Sequence, residues 1–164
     1  MKGIVFTLFI AGIIGFLAGG FVGDLLVKRK GLRFGRRFVG MTGLGVCGLL
    51  IFLAAILSQN NIVAFCLIAA NGFFSFGVMV SYAVCTDIGR NNAGTVTGAM
   101  NFFGQMGAFF LAIIFGKIVD ATNNFDYPLF VVAFVMLTGC LMWLAIDPLK
   151  QVSLQEDRIK EVIL

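Results

Sequence analysis

The chain has no histidine, and charged residues make up only 12% of its 164 positions. Without histidine there is no Ser-His-Asp or Cys-His nucleophile. The four cysteines, Cys47, Cys66, Cys85 and Cys140, lie in or at the ends of apolar runs and form no Cys-x-x-Cys pair. Neither a disulfide framework nor a zinc site is indicated, and the thiols read as small apolar packing groups. Acids are as sparse. Asp24, Asp87, Asp120 and Asp126 form no close cluster in the sequence, so no metal-assisted or acid–base catalysis is indicated and no cofactor is expected.

What remains is apolar. Hydrophobic residues account for 60% of the chain and the mean hydropathy is +1.02, far above what a water-soluble domain tolerates. Too little polar surface exists to cover a soluble core, so lipid must supply the cover. The net charge of +4 and pI near 9.1 raise the question of a nucleic-acid partner. The excess, however, sits mostly in one short stretch between two apolar runs, where membrane orientation explains it without nucleic acid.

Five apolar runs fall at about 3–26, 38–57, 62–85, 93–115 and 127–146, each near the length needed to cross a hydrocarbon core. The expected fold is all-α, a polytopic membrane bundle of five transmembrane helices over 1–148. The tail at 149–164 carries Ser153-x-x-Glu156, a capping-box pattern that predicts a short amphipathic helix. Between the first two runs, Lys28, Arg29, Lys30, Arg33, Arg36 and Arg37 read as a basic loop. Short Lys/Arg-rich loops mark the cytoplasmic side. With five crossings, Arg90, Lys150, Arg158 and Lys160 fall on that side too, and only Lys2 and Lys117 on the other. The N-terminus is therefore expected outside and the C-terminus in the cytoplasm. Ser58-Gln59-Asn60-Asn61 forms an uncharged outer turn, residues 117–126 an outer loop, and Tyr127 and Trp143 two aromatic belts.

Polar residues inside these runs follow helical spacing. Gly12, Gly15, Gly19 and Gly23 share one face of the first run and predict close approach of another helix. Asn71, Ser75, Tyr82 and Thr86 share a face of the third; Gly94, Gly98, Asn101, Gln105 and Ala108 share one of the fourth. An unpaired amide in lipid costs several kcal/mol. Such a face is either helix-to-helix glue or the wall of a wet cavity. The second and fifth runs carry almost no such groups.

Two stretches resemble a known family. Gly20-x-x-x-Asp24 followed by a basic segment ending Gly35-Arg36-Arg37 looks like the signature of major facilitator superfamily transporters after their second and eighth helices. Here Leu25-Leu26-Val27 separates the acid from the first basic residue, a longer spacing than the family's. The stretch from Ala93 through Gly107, running on to Gly116-Lys117-Ile118-Val119-Asp120, is similar to the eleventh helix and following loop of the anion:cation symporter branch, which carries hexuronates, sugar acids and phthalate.

The resemblance covers nearly the whole chain as helices eight to twelve of a twelve-helix fold. It implies a secondary transporter of small organic anions, proton-coupled, in a bacterial inner membrane, with substrate between two six-helix halves. The first half and helix seven, where the family's proton-coupling acids mainly lie, are not among these residues. It also implies that the third and fourth runs line the cavity and that the second and fifth face lipid. On that reading Asn101, Gln105, Asn71, Ser75 and Tyr82 are the candidate substrate-binding residues. Gly20, Asp24, Gly35, Arg36, Arg37 and Arg90 form a candidate conformational latch, with Gly20 and Gly23 permitting close packing. A reading from another class is a small membrane scaffold that uses its glycine stripes for helix association.

Overall fold

The computed structural model describes residues 2–57 and 60–149, so the 58–59 part of the outer turn and the 150–164 part of the tail lie outside the described residues. Five α-helices follow one another: α1 Lys2–Lys30, α2 Leu32–Ile56, α3 Asn60–Gly89, α4 Ala93–Thr122 and α5 Asp126–Met142. Three continuous helical stretches, Gly3–Lys30, Leu32–Ile56 and Asn61–Thr122, are long and apolar enough to cross a membrane, and α5 is a shorter apolar helix. The last of the three comprises α3 and α4, which turn back on each other through a single 3-10 turn at Arg90–Asn92.

The helices run further than their apolar sequence. The basic stretch is not a loop: Lys28, Arg29 and Lys30 form the last turn of α1, and Arg33, Arg36 and Arg37 lie in the opening turns of α2. One residue, Gly31, makes the reversal with φ +90, a conformation open to glycine at no steric cost. Three cations in α1's last turn also sit favourably at the negative end of its dipole. Lys117 and Asp120, expected in a loop, belong to the last turns of α4. That helix ends at Asn123, whose left-handed backbone (φ 49) caps it.

The third helix is central, packed on α1, α2 and α4, while α2 is clasped between α3 and α5. The buried positions of α2 include Val39, Gly40, Gly43, Cys47, Ile51 and Ala54, at three- and four-residue spacing. This is one helical face. Its opposite face, with Phe38, Leu49, Phe52, Leu53 and Ile56, is exposed. Thus α2 is both core and outer surface. Phe9, Phe21, Phe103 and Phe134 are each 70% exposed or more, a display of aromatic surface that water does not sustain.

Trp143 does not join an aromatic belt. Its ring lies on Gly40, is only 5% exposed, and closes a cluster with Val39, Val80 and Val84. A missing Cβ at Gly40 provides the slot. Tyr127 is exposed at the far end of α5.

Candidate functional site

Where α1 ends and α2 begins, hereafter the basic end, the first turns of α2 present Arg33, Arg36 and Arg37. Cations at a helix N-terminus oppose its dipole, so each needs a partner. Arg36 donates from Nε to Asp87 of α3 at 2.8 Å and from Nη1 to Asp24 of α1 at 3.2 Å. Its side chain is 10% exposed, against 22% for Asp87 and 68% for Asp24. One guanidinium therefore ties three helices. Arg37 does not reach Asp24; its Nε donates to the Ile146 carbonyl beyond α5 at 2.7 Å. Arg90, also expected as a partner of Asp24, forms no ion pair among the described residues; it is exposed, and its own backbone (φ 43) makes the turn from α3 to α4. From the end of α3 it is Asp87, three residues earlier, that joins the network, as the second carboxylate on Arg36.

Gly35 is buried where the two helices meet: a Cβ there would come within 2.7 Å of the Val27 amide nitrogen. Gly20 and Gly23 do not provide the close approach expected of them. An added methyl would meet Met79 side-chain atoms from 3.5 Å at Gly20, and Val80 Cγ2 at 3.4 Å and Arg36 Nη1 at 3.5 Å at Gly23, all ordinary contact. The backbone-to-backbone approach is at Gly15 and Gly19, whose Cβ positions would fall on the Gly72 and Phe76 carbonyls of α3. A step of about 100° per residue turns Gly20 past the line of contact.

A further tie at this end was not legible in the sequence. Arg33 forms a two-pronged pair with Asp147, with Nε to Oδ1 at 3.2 Å and Nη2 to Oδ2. The Arg33 guanidinium holds the Asp147 carboxyl below its ordinary range, helped by the Leu149 amide and the Arg37 charge. A lowered pKa means the tie stabilises fully above the ordinary aspartate value near 4 and fades as pH falls through the lowered one. In melts of the detergent-solubilised chain, Asp147→Asn should therefore lie below the unchanged chain at pH 7, with the two converging only in strong acid.

The five substrate candidates do not form one cluster. Tyr82 donates its hydroxyl to Asn101 Oδ1 at 3.1 Å, joining α3 to α4. Asn101 and Gln105 are both exposed, and their amide N–H groups have no partner among the described residues. Asn71 lies eleven residues from Tyr82, about 16 Å along α3. Its Nδ2 donates to the Leu8 carbonyl of α1 at 2.8 Å. Asn71 and Ser75 are the polar members of a groove of about 600 Å³ walled by Val5, Leu8, Phe9 and Phe16. Asn71 is thus tied to a neighbouring helix, whereas Asn101 keeps donors to offer. Thr86 bonds back to the Ala83 carbonyl of its own helix at 2.7 Å.

α4 carries no buried residue. The stripe at Gly94 and Gly98 touches nothing: added Cβ atoms there, and at Gly104, Gly107 and Gly116, meet no atom within 4 Å. Small residues and amides on this helix face outward.

A family model described as the Major Facilitator Superfamily matches residues 1–161. The chain is 29% identical over 155 residues to a probable sulfoacetate transporter of Cupriavidus necator, covering 93% of this chain and 36% of that protein. It is 36% identical over 122 residues to a hexuronate transporter of Bacillus subtilis, covering 71% and 29%. A probable galactarate/D-glucarate transporter of the same organism is 28% identical over 153 residues, covering 90% and 32%. The chain spans about a third of the length of the curated relatives it matches.

Proposed function

The chain belongs to the Major Facilitator Superfamily, and from that premise we propose that it forms helices eight to twelve of a proton-coupled carrier for organic anions, with sugar acids as the substrate class. Relatives named for sulfoacetate, hexuronate and galactarate/D-glucarate transport support the anion class. The carrier lies in a bacterial inner membrane, with the start of α1 outside and the basic end in the cytoplasm, in keeping with the concentration of Lys and Arg there. The first six helices form the opposing wall, helix seven completes this half, and the unfilled glycine and amide face of α4 turns toward that wall.

The observation that carries this reading is the pair Tyr82–Asn101, with Gln105 one turn along on a helix no part of which is buried. Neutral amides donate and accept hydrogen bonds to sugar hydroxyls without the cost of burying a charge. The Asp24–Arg36–Asp87 network serves as the latch that holds the cytoplasmic ends of α1, α2 and α3 together in the outward-open state. Alternating access then breaks and remakes it as the halves rock about the substrate.

Uptake of labelled sugar acids by the complete carrier in proteoliposomes, driven by an imposed pH gradient, tests the reading. Asn101→Ala removes one substrate hydrogen bond and should raise KM about tenfold, the equivalent of roughly 1.4 kcal/mol. Membrane insertion should be unaffected. Unchanged uptake kinetics would remove Asn101 from the site. Uptake indifferent to the pH gradient would remove the proton.

A further inference from the structure

At the basic end, on the flank of the bundle away from α3, a cavity of about 510 Å³ opens between the last residue of α1, the start of α2 and the chain beyond α5. Lys30, Arg33 and Arg37 form its rim, and Phe34, Phe38 and Leu144 line it below. Phe34 and Phe38 are stacked, with ring centroids 5.7 Å apart and planes 12° from parallel, so they make one flat apolar wall. Both rings are nearly half exposed, as is Leu144. Lys30 Nζ stands 4.9 Å from the Phe34 centroid.

The charges do not cancel. Asp147 is the acid facing this rim and it is engaged by Arg33. Arg37 spends its Nε on the Ile146 carbonyl, leaving its two terminal nitrogens without partners among the described residues, and Lys30 forms no ion pair there. Among the described residues, three cations thus share one carboxylate above an apolar wall, and neither Lys30 nor Arg37 has an ion pair of its own. Any ligand must be anionic at one end and hydrocarbon along the other.

We propose that this cavity is a binding site for an anionic phospholipid, its phosphate held by Lys30 and Arg37 and one acyl chain lying on Phe34 and Phe38. A free anion would satisfy the rim but leave the wall bare. A zwitterionic lipid would bring its own cation to Lys30 and Arg37. A basic pocket at the membrane surface selects the anionic headgroup for that reason.

Trp143 is the chain's single tryptophan and immediately precedes Leu144 in the cavity lining, which supplies the readout. The purified chain is reconstituted in bilayers with brominated acyl chains, on either phosphatidylglycerol or phosphatidylcholine, and quenching of Trp143 is measured at matched mole fractions. Brominated phosphatidylglycerol should be preferred, and Lys30→Gln should lower the preference about fivefold, the share of one cation at an anionic surface. Lys30 is exposed beyond the core clusters, so this variant keeps the fold, and Lys30→Arg should restore the preference. Lys117→Gln, at the other end of the bundle, should leave it unchanged. Equal quenching by the two lipids, or a preference untouched in Lys30→Gln, would overturn the site. Displacement of the lipid by millimolar inorganic phosphate would overturn the lipid as its ligand. None of these outcomes depends on transport, so the site stands or falls apart from the carrier assignment.

Discussion

Replacing Arg36 by Gln is expected to lower the stability of the detergent-solubilised chain by about 3 kcal/mol, the scale for breaking a mostly buried ion pair by removing one partner. Its guanidinium is 10% exposed and binds two carboxylates on two different helices. Removing it leaves Asp87, itself 22% exposed, without its cation. The two acids should not respond alike. Asp24 is 68% exposed, and a pair with that much solvent is worth less than about 1 kcal/mol, so Asp24→Asn should be mild. Asp87→Asn should fall between. Arg36→Lys should not rescue, since a single ammonium cannot reproduce donors pointing from Nε and Nη1 to separate helices. Thermal unfolding monitored by Trp143 emission orders the variants. If Asp24→Asn cost as much as Arg36→Gln, the exposed contact rather than the buried one would be holding the helices, and the network described above would be wrong.

On the latch role proposed for this network, the same substitution has a second expected consequence in the complete carrier. A latch made in only one state biases the equilibrium by its own free energy. Losing about 2 kcal/mol of such bias changes the ratio of the two states about thirtyfold. Thiol labelling of a cysteine placed on the α4 face at Gly98 would report that shift.

Much of this was legible in the sequence because membrane length and helical period are local properties. The five apolar runs each became a helix, and the small-residue face of the first run did mark the line of contact with α3. What was lost depends on where distant segments cross. Asp87 and Arg36 are 51 positions apart, and nothing in either stretch says that the end of α3 comes to rest beside the start of α2. The same ignorance left Arg36, Arg37 and Arg90 as equal candidates beside Asp24, of which Arg36 forms the pair. Trp143 looked like a boundary residue because its sequence position is near the end of a run. Only the slot over Gly40, on another helix, makes it a core residue. The basic stretch misled in a different way. Charge density resembles a loop in sequence, yet Lys, Arg and Leu are good helix formers, and one glycine sufficed for the turn. On α4 the small-residue face was readable and its neighbour was not, since no described residue lies within 4 Å of a Cβ added at Gly94 or Gly98.

The contact between α1 and α3 allows the sharpest comparison in the molecule, because two glycines of one helix should behave in opposite ways. An alanine at Gly15 would place its methyl on the Gly72 carbonyl oxygen. Backbone cannot rotate aside as a side chain does, so α1 must move away from α3 along the whole contact. Overpacking of this kind costs about 3 kcal/mol. The movement also strains both polar ties that flank the contact, Asn71 to the Leu8 carbonyl on one side and Arg36 to Asp24 on the other. At Gly20 the added methyl meets only the flexible end of Met79 at 3.5 Å. There the helix-forming advantage of alanine over glycine, up to about 1 kcal/mol, has nothing to oppose it. Gly15→Ala should therefore lower the melting temperature by many degrees while Gly20→Ala leaves it equal or higher. The two variants have identical composition and lie five residues apart on one helix, so a difference between them isolates the helix contact from any effect of glycine content. Equal melting of the two would mean that α1 and α3 do not meet backbone to backbone at Gly72, and the packing that positions Asp24 beside Arg36 would have to be rebuilt from another crossing.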